Sequence, residues 1–267
     1  LEFRRVLFRS NSEYFYEFDL KYLNHDRYLM KNKPTVPTNG PITAYLELIP
    51  QLKQEMDRWF VENPKLEREV QQMILRDNNI DKLAKYTDYY ISDIEYSNSE
   101  NGSRFDIIGI KWNSEANIRK NRSFPQVSLM ELKYGDGSLA GDSGIVKHFL
   151  DIEKFVSSSV KYKSFLKEVE EQFNQKIELG LIYGQSELVH LNINAKPEFV
   201  LIFTNHKVAS SVLDRELTDA LIQFPNIEAT IDVRIAQSSF MGYGLYEQSM
   251  FDARTYVNNP NNSSGVE

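Results

Sequence analysis

The sequence predicts an α/β fold in which a central sheet is flanked by helices, and three observations carry that prediction. Two β-rich segments, Tyr89 to Tyr96 and Ser103 to Trp112, stand on either side of Asn101-Gly102, a strong hairpin signal. A third, apolar segment from Ser128 to Tyr134 stops at the turn-forming Gly135-Asp136-Gly137. A helical pattern then runs from about Gly144 to Ser158, with Ile145, Phe149, Ile152 and Val156 as its apolar stripe.

The third segment holds two charges that an apolar strand does not favour. Side chains alternate along a strand, so Glu131 and Lys133 share one face while Met130 and Leu132 share the other. Burying a carboxylate and an ammonium there is costly unless they are paired or bind something. Upstream, Asp106 is the only acid of its β-rich run. Glu95 is a third candidate, and its face depends on the hairpin loop. A four-residue loop, 99–102, sets it opposite Asp106. A two-residue loop sets Ser97 there and keeps Glu95 on the same face, and an odd-length loop moves it to the other side.

In this order, a hairpin with Asp106, a strand with Glu131-Leu132-Lys133 and then a helix, the chain resembles the PD-(D/E)xK phosphodiesterase superfamily, with its restriction-endonuclease-like fold. The resemblance covers roughly Tyr86 to Thr204. Phe105 stands where the motif has a proline, the half of the motif that is commonly degenerate. The resemblance implies a mixed central sheet and a core in α-β-β-β-α-β order, with extra N- and C-terminal elements. It implies that Asp106, Glu131 and the backbone carbonyl of Leu132 hold Mg2+ or Mn2+, and that Lys133 positions or activates the attacking water. The implied activity is a metal-dependent nuclease hydrolysing phosphodiester bonds, with nucleic acid as partner, DNA ahead of RNA. Family members often add a metal-binding glutamate on the helix before the hairpin. Glu55, Glu62, Glu67 and Glu69 are the candidates here, and each is otherwise a residue of a solvated helical face.

Two other readings compete. One is a non-catalytic nucleic-acid- or protein-binding module that keeps the nuclease-like fold. The other is an unrelated α/β protein in which Glu131 and Lys133 form a structural ion pair.

Accessory chemistry is expected at two places. His148 and Asp151 lie three apart on the helix after the Glu-x-Lys strand, together with Lys147; such a histidine can protonate a leaving group or grip a phosphate, or simply make a surface pair. Arg119, Lys120 and Arg122 sit in the polar stretch 114–125, either as phosphate contacts or as an ordinary surface turn.

Along the rest of the chain, Leu1 to Ser10 reads as the translation of a sequencing-adapter end and is set aside; a genuine basic amphipathic strand is the alternative. Residues 11–256 are expected to form a single domain with its core at about 42–205. Glu13 to Leu20 alternates like a strand, and Asn32 to Pro41 reads as a loop. Residues 42–78 read as mostly helical, broken near Pro50 and at Asn63-Pro64. A charged helix is expected over 157–177, strands over 179–183, 199–204 and 229–236, and a helix over 208–224. The tail 257–267, like Tyr256 before it, has the composition of a disordered segment.

Composition closes off several classes of function. The 267 residues are 41% hydrophobic and contain no cysteine, which excludes a disulfide framework and a thiolate metal site. Histidines occur only at 25, 148, 190 and 206, without zinc-like spacing. No apolar run approaches the roughly 20 residues of a membrane span, so no membrane partner is expected. Nothing resembles a signal peptide, which points to the cytoplasm. The net charge of −7 is not the basic footprint of a typical nucleic-acid binder.

Overall fold

The computed structural model describes residues 15–16, 18–24, 40–41, 43, 46–98, 103–120, 125–141, 144–206, 210–238 and 242–258. The adapter-like segment 1–10, the Asn101-Gly102 turn, Arg122 and residues 259–267 lie outside them. The chain forms two compact units, one of residues 1–65 and another of 66–267.

In the first unit, helix α1 (Ile49–Glu62) carries Pro50 in its first turn. Proline's fixed φ suits that position, so it opens the helix that it was expected to interrupt. Leu52 and Met56 pack against Phe18, Tyr22 and Leu23, with Trp59 and Phe60 alongside. Phe15–Tyr16 (β1) pairs with Gly40–Pro41 (β2).

The second unit is α/β, a six-stranded mixed open sheet between helices. Helix α2 (Leu66–Leu75) precedes strands β3 (Tyr89–Asn98), β4 (Ser103–Lys111) and β5 (Gln126–Tyr134), with the short α3 (Ala116–Lys120) before β5. Then come α4 (Ile145–Ser157), α5 (Ser159–Glu178), β6 (Glu198–Thr204), α6 (Ser211–Gln223), α7 (Ile227–Thr230), β7 (Asp232–Ser238), β8 (Phe251–Asp252) and α8 (Ala253–Val257). The strands lie in sequence order, β3 to β8. The first three form an antiparallel meander, β6 and β7 run parallel to β5, and β8 turns back.

Alternation sorts the side chains into two cores. Leu129, Leu201, Ile108 and Ile110 face Phe149 and Ile152 of α4 and Phe165, Val169 and Phe173 of α5. Met130, Leu132, Ile107, Val200 and Ile202 face Val70 and Ile74 of α2. The outer edge of β3 is capped by buried Asn79, whose amide both donates to and accepts from the Ile91 backbone at 2.7 Å, as a neighbouring strand would.

Two expectations about the elements are corrected. Residues 179–183 are not a strand. Gly180, at φ +70°, ends α5 in a Schellman motif, its N–H donating to Ile177 and that of Leu181 to Lys176. Leu181 and Tyr183 then remain exposed and find no partner strand. Tyr256 and Val257 belong to α8, where Asp252 caps the helix and buried Tyr256 packs beside Phe251. An Asn- and Ser-rich composition just downstream hid this last turn of packed chain.

Candidate functional site

The site grows from the ends of β4 and β5. Their backbone pairing is registered up to Ile107 with Met130, one residue short of Asp106 and Glu131. There the Asp106 carboxylate takes over, accepting the Leu132 N–H at 2.9 Å. Asp106 is half-buried, whereas Glu131 and Lys133 are each only 4% exposed. The expected pair of charges is therefore sealed into the interior, on the face that carries α4.

Burial and proximity then set the protonation. Burial pushes the Glu131 carboxyl well above its usual range, and the Asp106 charge adds to this. Burial also raises Asp106, opposed by hydrogen bonds from Glu131 and the Leu132 N–H and by the Lys133 charge. Both carboxyls are thus pushed up, chiefly by burial, and each charge opposes the other.

His148 closes the other side. Its Nε2 lies 2.8 Å from Lys133 Nζ and its Nδ1 lies 3.4 Å from Glu131 Oε1. A lysine ammonium can only donate, so a charged Lys133 would set the ring hydrogen on Nδ1, facing Glu131. Lys133 Nζ is itself 4.0 Å from Glu131 Oε2. A chain of polar contacts thus runs from Lys133 through His148 to Glu131, with Asp106 beside it on the neighbouring strand.

Two further acids approach this chain. Counting from the pairs Ile94 with Ile107 and Tyr96 with Phe105, Glu95 falls opposite Asp106, as a four-residue separation of the strands requires. The strand is irregular here. Ile94 packs toward α2 and Tyr96 toward the opposite core, so the face switches at Glu95, whose φ is +54°. Such a backbone is uncommon for a non-glycine residue, and strained positions gather at functional sites. Glu95 also meets Arg68 at 3.3 Å.

Glu67, in the first turn of α2, is the second acid. Burial first, and then the charge of Asp106, push its carboxyl up to about 7. Of the two glutamates on α2, this is the one brought to the chain of contacts. Glu69 is exposed, and Glu55 and Glu62 belong to the first unit.

The remaining candidates lie apart. Asp151 does not join His148; it is exposed and pairs with Lys147. Arg119 donates inward, to the carbonyls of Asn113, Lys85, Thr87 and Trp112 and to the Tyr90 hydroxyl. It lines a recess of about 440 Å3 with Lys120 and Trp112. That recess lies beyond the opposite end of β4 from Asp106.

Two buried groups escaped the sequence reading. His206 and Asp136 meet at the end of β5, in separate turn segments that no local pattern links. Glu198 is buried at the start of β6 and accepts from Tyr89 and Lys111. The continuous apolar run after Glu198 could have flagged it as a strand-end charge, much as the run around Glu131 did.

Chemically, the arrangement offers hard carboxylate oxygens beside a lysine and a histidine in a largely buried setting. Among the described residues, no three histidine, aspartate or glutamate side chains are already gathered as a metal-binding set. Comparison with family models, with curated proteins and with solved structures gave no match.

Proposed function

We propose that this chain is a metal-dependent phosphodiesterase acting on nucleic acid, with a restriction-endonuclease-like core. The observation that carries the reading is the gathering of Asp106, Glu131 and Lys133 at the adjoining ends of β4 and β5, with Lys133 Nζ 4.0 Å from Glu131 Oε2. The order α2, β3, β4, β5, α4, β6, three antiparallel strands followed by a parallel fourth, supports the same reading.

The donor set suits a hard divalent cation such as Mg2+ or Mn2+, which prefers carboxylate oxygens and keeps several waters. Asp106 and Glu131 would hold it, with the Leu132 carbonyl implied by the resemblance and Glu67 as the nearest further acid. Bound there, the cation would lower the pKa of a coordinated water and offset charge at phosphorus. Lys133 orients the attacking water, and His148 fixes Lys133 relative to Glu131.

One observation favours the second reading, a non-catalytic nucleic-acid- or protein-binding module: among the described residues, no third histidine, aspartate or glutamate is gathered with the pair as a metal-binding set. Mn2+ binding separates the two. Electron paramagnetic resonance of Mn2+ titrated into the wild type should show bound ion, and Asp106→Asn should abolish it. Equal binding by both proteins, or none by the wild type, would sink the metal-site reading.

A further inference from the structure

Lys133 is held from two sides, its side chain by His148 and its backbone by a second histidine that the proposed chemistry does not use. We propose that His206 is a positioning residue for Lys133, tied down by Asp136 and Ser210, so that the strand end carrying the lysine cannot shift. This deepens the reading given under Proposed function and rests on it.

Parallel strands β5 and β6 stay paired through Tyr134 and Thr204. Each then leaves the sheet through a left-handed residue, Gly135 at φ +69° and Asn205 at φ +56°. Glycine adopts this backbone freely and asparagine tolerates it. The Gly135 N–H donates to the Thr204 carbonyl at 2.9 Å, which locks the two turns together.

The turn at Asn205 brings His206 back over the end of β5. Its Nε2 lies 3.0 Å from the Lys133 carbonyl oxygen and its Nδ1 lies 2.9 Å from Asp136 Oδ1. The other Asp136 oxygen accepts from Ser210 Oγ at 3.0 Å, and Ser210 Oγ accepts the Leu213 N–H, capping α6. The Phe203 ring stands edge-on to the imidazole at 5.3 Å, and the His206 side chain is only 8% exposed.

The result is a brace from the N-terminus of α6 to a single backbone carbonyl, that of the residue whose ammonium faces Glu131 and His148. A core-filling role needs no such target. With the carbonyl fixed, Lys133 Nζ can hold its 2.8 Å contact with His148. Misplacing a working group by about 1 Å costs on the order of 100-fold in rate, which sets the scale of the expected effect.

The test uses the full chain with Mg2+ and labelled DNA, measuring kcat and KM for wild type, His206→Ala and His206→Gln. Amide hydrogen exchange at Gly135 and Leu129 is followed in parallel. His206→Ala should lower kcat by about 10- to 100-fold with KM changed by less than about threefold. His206→Gln, whose amide can still donate to the Lys133 carbonyl, should recover most of the loss. Exchange at Gly135 should rise in His206→Ala while that at Leu129, deep in β5, stays slow.

A His206→Ala kcat within about twofold of wild type overturns the proposal, and so does a rise in exchange that is equal along all of β5. Should the wild type itself cleave nothing, the reading under Proposed function fails. The brace is then judged by exchange alone, and an unchanged Gly135 overturns it.

Discussion

Replacing Glu67 by glutamine should stabilise the protein at alkaline pH and leave it unchanged in acid. Glu67 lies in the first turn of α2, a position that by itself favours a negative charge. Burial and the Asp106 charge win, raising the carboxyl from 4.5 to about 7. Across that window the folded protein keeps a proton that the unfolded chain releases, so stability falls as pH rises from 4.5 through 7 and stays low above it. The full difference corresponds to about 3 kcal/mol. Because Glu67 is only half-buried, solvent screening reduces this to about 1–2 kcal/mol. Glutamine carries no charge, so Glu67→Gln should melt about 3–6 °C above the wild type at pH 8. The gap should close toward pH 4.5. Thermal melts in chelator across this range provide the assay. A variant no more stable than wild type at pH 8, or a gap that persists in acid, would refute the reasoning.

Glu131→Gln and Asp106→Asn should be at least as stable as the wild type in chelator, because each relieves a crowded pair of acids. Mg2+ should then raise the wild-type melting temperature more than that of either variant. A structural ion pair predicts the reverse, a loss of roughly 3–5 kcal/mol on stranding Lys133, and melts with and without Mg2+ decide between them. Asn79→Ala should cost about 2–3 kcal/mol, since it leaves both Ile91 backbone groups without partners at the sheet edge. Urea unfolding measures this, and a cost below about 0.5 kcal/mol would show that the edge needs no such cap.

The central hairpin, the Glu-x-Lys strand and the helix after it were legible in the sequence because each rests on local pattern. Asn101-Gly102, the apolar run around Glu131 and the stripe from Ile145 to Val156 need no distant partner to be recognised. Glu131 and Lys133 could be placed on one face by alternation alone, whereas the position of Asp106 opposite Glu131 needs the register of β4 with β5. Glu95 could not be placed so, because its position depends on a loop length and on the switch of face at its own φ of +54°. Glu67 could only be named among four glutamates, since its burial comes from packing against strands that follow it in sequence. Residues 179–183 show the converse. Their composition suits a strand, but Gly180 turns the chain at the end of α5 and no neighbouring strand receives it. His206 was invisible because the brace joins two turns about 70 residues apart, a distance that no local spacing spans.

Cleavage itself is the most direct test of the account. Wild type, Asp106→Asn, Glu131→Gln and Lys133→Ala should be incubated with labelled double- and single-stranded DNA and with RNA, in Mg2+, Mn2+ or chelator. The account predicts phosphodiester cleavage by the wild type only when the metal is present, and its loss in all three folded variants. A wild type that cleaves none of these substrates with either metal, or a Glu131→Gln variant that cleaves as fast as the wild type, would contradict it.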